Sequence, residues 1–425
     1  MNIISMFVVF FLLLAISMPV AFSLGGAVLF YFLMNNIPLI TLPQKMFAGM
    51  NSFVLLCVPG FILAGNLMNQ GGITNRIVSF SNALVGHIRG GLGHANIVAS
   101  MIFAGISGTA TADSASLGAI LIPAMEKDGY DTDFSCAVTA TSSCIGPIIP
   151  PSLNMVVAGS LTGLAVTKLF VAGIVPGILM GLSQMVVCYI IATKRNYPKH
   201  ARCGWKERMA AFKNAFWALL MTFIILYGIM GGICTPTEAS MIAVVYALVI
   251  GLFVYRELPL KKIPVVIRDS ACMTASILML IGFANAFAWV LSREQVPQLV
   301  ANGMLNITHN KIVILLLINI LLLFVGTFME TNAALAILFP TLLSVATQVG
   351  VNPIQFGIIV VLNLVIGLTT PPVGVCLFIT STIGKISLGK VAKACLPFIV
   401  ANMIVLLFVT YFPPTTLTLV NLLFP

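Results

Sequence analysis

Two stretches, "FAGISGTATADSAS" (103–116) and "FVGTFMETNAALAI" (324–337), interrupt long apolar segments with glycines, hydroxyl side chains and an acid. Their Phe-x-Gly starts lie 221 residues apart in the chain. Polar groups are costly in lipid unless they find a partner or bind a ligand. The two matched interruptions therefore predict the two halves of one ion and substrate site in a membrane transporter.

The composition indicates that lipid is the main solvent of this chain. Of its 425 residues, 60% are hydrophobic and 8% are charged, and its mean hydropathy is +1.10. Soluble domains keep roughly 25% charged residues, whereas apolar runs of about 20 residues, enough to cross a bilayer, recur here. Membrane-barrel alternation is absent, so we predict an all-α polytopic membrane protein. The apolar segment 1–23 lacks a basic start, and we interpret it as a retained helix.

Several other functional classes fit the sequence poorly. The nine cysteines form no CxxC pair and the four histidines show no metal-ligand spacing, so we expect core cysteines and no cofactor. A net charge of +10 fits basic cytoplasmic loops better than nucleic-acid binding. No GxxxxGK[ST] loop is present, so the chain does not hydrolyse ATP by that machinery. We expect a secondary transporter rather than an enzyme.

Basic residues orient the chain in the membrane. The segments 194–213 and 256–269 carry most of the loop Lys and Arg, which places both in the cytoplasm. Two crossings fit between them, joined by an external turn that contains Glu238. Counting apolar segments outwards from these two cytoplasmic loops gives about ten crossings and two re-entrant hairpins. Hairpin 96–125 enters from the cytoplasm and hairpin 311–347 from the opposite face.

The two halves of the chain match in sequence. "IGPIIPPS" (145–152) corresponds to "IGLTTPPV" (366–373) at an offset of 221, and Phe61 corresponds to Phe283 at 222. Repeats of reversed topology with broken helices are typical of secondary transporters. The proline pairs Pro150-Pro151 and Pro371-Pro372 are predicted to break the crossings 134–167 and 354–384.

These boundaries divide the chain into five sections. They are N-terminal scaffold helices (1–50), repeat 1 (51–193), basic loops with a helix pair (194–269), repeat 2 (270–393) and a C-terminal helix (394–425). Each repeat also contains an interfacial arm, 73–91 or 293–310. Such arms would hold a moving unit in a fixed frame.

The hairpin tips and helix breaks supply the oxygen ligands that a hard cation such as Na⁺ prefers. The first predicted Na⁺ site combines Ser107, Gly108 and Thr109 with Ser142, Ser143 and Gly146. The second combines Gly326, Thr327 and Met329 with Thr369 and Thr370. Small and hydroxyl residues also mediate close helix packing, and for any single one this alternative stays open.

Charged residues inside the membrane are the candidates for substrate contact. Arg293 offers a planar fork for a carboxylate, with an interfacial anchor paired to Glu294 as the alternative. Glu330 is expected to position the arginine, bind polar groups of the substrate or tune a cation site, with an acid that caps the hairpin as the alternative. Asp113 is expected to cap or stabilise the first hairpin. The remaining predicted substrate contacts come from the tips: Ser107, Thr109 and Asn332.

The motifs "GISGTATADSASLGAILIPAM", "GPIIPPS", "GTFMETNAA" and "GLTTPPVG" resemble the large membrane subunit of tripartite ATP-independent periplasmic (TRAP) transporters. The resemblance covers essentially the whole chain. It implies a Na⁺-coupled elevator in the bacterial inner membrane, with a small four-helix membrane subunit and a periplasmic binding protein as partners. It also implies an organic anion substrate, sialic acid before C4-dicarboxylates, with Arg293 and Glu330 at the substrate site.

Three rival functions remain at this stage. A dicarboxylate/sodium symporter would share the inverted hairpins but work without a binding protein. An intramembrane serine protease would use "GISG" (105–108), yet the nearest histidine, His94, lies at a predicted membrane edge and the repeat would go unexplained. A passive channel would not need hairpins that close over a midplane site.

Overall fold

The computed structural model describes residues 2–16, 18–307, 310–371 and 374–424, and within these ranges the regular elements are helices. In chain order they are α1 (Asn2–Ala15), α2 (Val20–Met34), α3 (Thr41–Met50), α4 (Cys57–Gln70), α5 (Ile73–Val85), α6 (Gly91–Ser107), α7 (Ala110–Lys127), α8 (Thr132–Ser142), α9 (Leu153–Thr162), α10 (Val166–Lys194), α11 (Trp205–Met230), α12 (Pro236–Val249), α13 (Ile263–Arg293), α14 (Val296–Ile307), α15 (Lys311–Phe328), α16 (Thr331–Gln348), α17 (Pro353–Gly367), α18 (Val375–Gly384), α19 (Leu388–Tyr411) and α20 (Pro414–Leu423). In the described part of the chain, 8 helices are long and apolar enough to cross a membrane. The prediction of an all-α polytopic membrane protein is confirmed.

The internal repeat extends over the helices as well as the motifs. Helix α7 starts at residue 110 and α16 at residue 331, which is an offset of 221, and both have 18 residues. The same offset relates α6 to α15, α8 to α17, α9 to α18 and α10 to α19 within a few residues at each end. Each repeat therefore supplies one helical hairpin followed by one interrupted helix.

Each hairpin reverses over two residues between its helices. Gly108 ends α6 in the left-handed conformation at φ 62°, and Thr109 is extended before α7. Only glycine adopts that φ without a steric penalty. The second hairpin turns through Met329 and Glu330, which are both extended.

The two interrupted helices end before the proline pairs. Helix α8 stops at Ser142 and continues only as a short 3₁₀ turn to Ile145, while α17 stops at Gly367. Pro150 and Pro151 thus lie inside an irregular segment that ends where α9 begins. Pro371 lies in the corresponding turn of repeat 2, and Pro372 is outside the described residues. The predicted breaks are present, but each starts several residues earlier than its prolines.

The N-terminal segment differs from its prediction. The expected single helix over 1–23 is two helices, because α1 ends at Ala15 and α2 starts at Val20, just after Pro19. Proline lacks the N–H that a continuous helix needs at that point. The two pieces pack against each other and onto α13, where Phe7 meets the Phe287 ring edge-on at 5.7 Å.

The number of long helices is not the number of crossings. The 8 candidate spans include α15 and α16 of the second hairpin, whereas shorter apolar helices such as α1, α2, α9, α17 and α18 are left out of that number. The predicted count of about ten crossings and two hairpins therefore stays a prediction. Helix α20 was not predicted as a separate element. Glu238, expected in a turn, caps α12 by accepting the Thr235 N–H at 2.8 Å.

Candidate functional site

Both hairpin tips and both helix breaks meet at one cavity of about 270 Å³. Helix α13, which is outside the hairpins, closes one side with Met273, Ser276, Ile277 and Leu280. The remaining lining residues are Thr109, Ala110 and Thr111, then Pro147 and Asn154, then Glu330, Thr331 and Asn332, and finally Leu368 and Val375. The tips and breaks, distant in sequence, thus share one site.

Four helices point their N-terminal ends at this cavity. The lining includes the N-cap residues Thr109 of α7 and Glu330 of α16. It also includes Asn154, the second residue of α9, and Val375, the first residue of α18. A helix N-terminus carries unpaired N–H groups and a partial positive charge. No Lys, Arg or His is among the described lining residues, so positive potential in the cavity would come from the backbone at these helix ends.

Glu330 both lines the cavity and caps a helix. Its Oε2 accepts the backbone N–H groups of Asn332 at 2.9 Å and Ala333 at 3.2 Å, and its Oε1 accepts the Asn332 amide at 2.9 Å. The capping role foreseen as an alternative is present. The carboxylate offsets the N-terminal charge of α16, and Asp113 lies in the first turn of α7, so the ends of α9 and α18 are the ones without an acidic residue.

Asn332 carries an acceptor that the described residues leave unused. The residue is 5% exposed, and its Oδ1 has no hydrogen-bond partner among the residues that the structure describes. Leaving a buried polar atom unpaired costs roughly 1–3 kcal/mol. A polar ligand in the adjoining cavity would remove that cost.

The first predicted cation site is assembled around Gly146. A methyl group at Gly146 would lie 3.2 Å from the Ser143 carbonyl oxygen, 3.6 Å from the Thr109 carbonyl oxygen and 3.6 Å from Asp113 Oδ2. Gly108 is pressed against the break, since a methyl there would lie 3.0 Å from the Pro151 carbonyl oxygen. The first tip and the first break are thus in contact. Ser107 ends α6, and its side chain lies outside the described part of the chain.

Asp113 adds a carboxylate to these oxygens. It is fully buried, and neither oxygen has a hydrogen-bond partner among the described residues. Ser100 lies nearby, but it donates its hydroxyl proton to Ser142 at 3.0 Å. A buried carboxylate without a partner is unstable unless it is protonated or bound to a cation.

The hydroxyls at the first break are oriented to accept. Ser143 Oγ donates to the Thr139 carbonyl oxygen at 2.8 Å, and Ser142 Oγ approaches the same carbonyl at 3.2 Å. A hydroxyl that gives its proton to the preceding turn keeps lone pairs for a ligand. The side chains predicted to bind Na⁺ can therefore act as acceptors.

The second predicted cation site shows the same pattern. Thr369 and Thr370 donate to the Ile366 carbonyl oxygen at 2.9 and 3.0 Å, and Thr327 donates to Phe324 at 2.7 Å. Gly326 approaches α17 so closely that a methyl on it would lie 3.1 Å from the Leu364 carbonyl oxygen. Met329, the remaining member, has its backbone extended at the tip.

The structure does not bring Arg293 to the cavity. Its guanidinium carbon is 5.6 Å from the centre of the Trp289 ring, its side chain is exposed, and the neighbouring Glu294 accepts a hydrogen bond from Tyr31. Arg293 lies 13 residues beyond Leu280 on α13, or about 20 Å along the helix axis. Its predicted substrate contact remains a prediction for another arrangement of α13 and the hairpins.

Four polar lining residues were missed from the sequence: Thr111, Asn154, Ser276 and Thr331. Thr111 could have been found, because the 221-residue offset places it opposite Asn332. Asn154 could have been inferred as the second residue of the helix after a break. Ser276 carries no local signal, since only tertiary packing turns that face of α13 towards the tips.

Comparisons with known proteins place the chain in context. Residues 7–415 match the family described as tripartite ATP-independent periplasmic transporter, DctM component. The chain is 42% identical to the sialic acid TRAP transporter large permease protein SiaM of Vibrio cholerae, covering 96% of each chain. It is also 42% identical to the C4-dicarboxylate TRAP transporter large permease protein DctM of Pseudomonas aeruginosa, covering 90% of this chain and 89% of the relative. Among solved structures, the YdaH transporter of Alcanivorax borkumensis superposes with a TM-score of 0.63 at 15% identity, over 88% of this chain and 87% of that one.

Proposed function

Because the chain belongs to the family of large membrane subunits of tripartite ATP-independent periplasmic transporters, we propose that it imports an organic carboxylate with Na⁺ across the bacterial inner membrane. The observation that carries this proposal is the convergence of four helix N-termini, two of them without an acidic residue, on one cavity whose described lining includes no basic side chain. Such ends bind carboxylate groups through backbone N–H groups and the helix dipole. In transporters with broken helices this arrangement serves the anionic part of the substrate.

The lining favours sialic acid over a C4-dicarboxylate. Thr109, Thr111, Asn154, Asn332 and Ser276 offer hydroxyl and amide groups, which suit a substrate with one carboxylate and many hydroxyls. Glu330 would repel the second carboxylate of a dicarboxylate, whereas it can accept hydrogen bonds from hydroxyl or amide groups. The relatives named for the two substrates are equally similar to this chain, so the preference depends on the lining. C4-dicarboxylates are the second candidate.

The coupling ions would occupy the opposite ends of the helices. The residues predicted to bind Na⁺ lie where α6, α8, α15 and α17 end. The last carbonyls of a helix lack hydrogen-bond partners and carry partial negative charge. Cations would bind at these C-terminal ends and the anion at the N-terminal ends. The opposite charges would then stabilise each other across the tips. Asp113 would supply the one full negative charge at the first cation site.

Transport would follow from movement of the hairpins and interrupted helices along α13. The cavity wall formed by Met273–Leu280 and the tips come from different parts of the fold, so sliding one along the other would carry the site across the membrane. A displacement of the order of 20 Å along the helix would bring the tips level with Arg293. Arg293 would then meet the substrate anion, as proposed from the sequence.

A small four-helix membrane subunit and a periplasmic binding protein are the proposed partners. The family is described as tripartite, and this chain supplies one part. The binding protein would deliver the anion, and the small subunit would complete the stationary frame around α13.

Uptake into proteoliposomes tests the proposal. They contain this chain with its small subunit and an inward Na⁺ gradient, and labelled N-acetylneuraminate is added with and without the binding protein. We expect uptake only when Na⁺ and the binding protein are both present. Na⁺-driven uptake without the binding protein would instead identify a simple symporter.

The substrate is tested in the same vesicles. Labelled succinate replaces N-acetylneuraminate, with the periplasmic binding protein again present or absent. Uptake of succinate but not of N-acetylneuraminate would overturn the sialic acid assignment and keep the transporter class. Dissipating the Na⁺ gradient at constant Na⁺ concentration separates coupling from simple stimulation by the ion.

A further inference from the structure

A second cavity, of about 500 Å³, lies where the segment after α5 meets the end of α10. Its lining consists of His87, Ile88, Arg89, Tyr189, Tyr197 and Lys199. None of these six side chains is acidic. The flanking basic segment 194–213 puts this cavity at the cytoplasmic membrane surface. It is separate from the central cavity, with which it shares no lining residue.

We propose that this cavity binds the phosphate of an anionic phospholipid from the cytoplasmic leaflet. Arg89 and Lys199 form no ion pair within the described part of the chain, whereas their neighbours Arg195 and His200 pair with aspartates. Two cations without an ion pair on one cavity give it a positive potential that attracts an anion. An arginine fork and a lysine ammonium suit phosphate oxygens.

The cavity is held in shape by its surroundings. The Arg89 guanidinium donates to Asn196 Oδ1 at 2.9 Å, and the Gly90 N–H donates to the Pro198 carbonyl oxygen at 3.2 Å. Tyr197 is 5% exposed and donates to Asp131 at 2.7 Å. These contacts tie the segment before α6 to the one after α10, so Arg89 is positioned before any ligand arrives, with the exposed Lys199 beside it.

An apolar surface for acyl chains continues from the cavity. Ile178, Leu182, Val186 and Tyr189 recur every three or four residues on α10, and each is at least 41% exposed. Residues at this spacing share one face of a helix. Tyr189, with a polar tip and an apolar ring, belongs to both surfaces, as aromatic residues do at headgroup depth. The continuity of a basic cavity with an apolar stripe favours a phospholipid over a soluble phosphate.

Native mass spectrometry of the full chain in detergent tests this proposal. The probe is phosphatidylglycerol, compared with phosphatidylcholine of the same acyl chains. We expect the wild-type chain to retain phosphatidylglycerol about tenfold more tightly, because two cations act near the phosphate. Equal retention of both lipids would overturn the proposal without any variant.

Two double variants locate the site. Arg89→Gln with Lys199→Gln should lose most of that preference, whereas Lys206→Gln with Lys213→Gln, which removes two exposed cations of α11, should keep it. If both double variants lose the preference for phosphatidylglycerol equally, the lipid is attracted to basic loops in general, and the proposed site is overturned. Displacement of the lipid by inorganic phosphate at equal concentration would mean that the cavity binds a free anion, and it would overturn the lipid assignment.

Discussion

Cys144 and Val365 occupy the same position in the two repeats, 221 residues apart, and the Cys144 thiol donates to the Val365 carbonyl oxygen at 3.2 Å. A residue can touch its own repeat counterpart only close to the axis that relates the repeats. The axis therefore passes between the interrupted helices, just before their breaks. The two predicted cation sites lie on either side of it, and both repeats contribute residues to the central cavity.

The buried carboxylate of Asp113 gives the first prediction. Asp113→Asn removes the full negative charge that lies beside Gly146, so we expect the Na⁺ concentration for half-maximal uptake to rise about tenfold, or about 1.4 kcal/mol. The measurement is the Na⁺ dependence of initial uptake rates in proteoliposomes. Glu126→Gln, at the exposed end of the same helix, is the control. An unchanged Na⁺ dependence in Asp113→Asn would remove this carboxylate from the cation site.

The unused acceptor of Asn332 gives the second prediction. Asn332→Ala removes a group that faces the substrate cavity, and we expect KM for the anion to rise about tenfold, as for one lost polar contact. Gln348→Ala, at the exposed C-terminal end of the same helix, should leave KM unchanged. If both variants keep the wild-type KM, Asn332 only supports the Glu330 cap.

The first hairpin tip gives the third prediction. Gly108→Ala and Gly163→Ala both force an alanine into a positive φ, 62° and 74°, which costs roughly 1–2 kcal/mol. At Gly163 the added methyl meets open space, whereas at Gly108 it lies 3.0 Å from the Pro151 carbonyl oxygen.

We therefore expect thermal destabilisation in both variants, larger in Gly108→Ala because of the added contact, and loss of Na⁺-driven uptake only in Gly108→Ala. Thermal unfolding in detergent and uptake in proteoliposomes measure the two effects separately. Normal uptake by Gly108→Ala would show that the contact between the tip and the break is not required for coupling.

The exposed Arg293 gives the fourth prediction. Arg293 and Lys45 both lie over the Trp289 ring, at 5.6 and 5.1 Å from its centre. If Arg293 meets the substrate in a second arrangement, Arg293→Ala abolishes uptake while Lys45→Ala has little effect, and we expect this result. Equal, small effects of the two substitutions on uptake would reduce Arg293 to a residue that packs on Trp289.

The sequence by itself determined the membrane class, the repeat and its offset, both hairpins and the existence of both breaks. These features depend on local chemistry, because lipid excludes unpaired backbone groups and so forces glycine, hydroxyl and proline residues to mark every departure from a helix. The offset alone also pairs Thr111 with Asn332. The local pattern predicted the ends of helices less accurately, because α8 and α17 stop several residues before their prolines.

Only the tertiary structure decided which residues share the cavity. The packing of α13 against the tips brings in Ser276 and leaves Arg293 about 20 Å away along the helix. The same packing turns four helix N-termini towards one point, which no spacing in the sequence reveals. Side-chain identity marks where a helix ends, but the direction in which that end points depends on contacts between segments far apart in the chain.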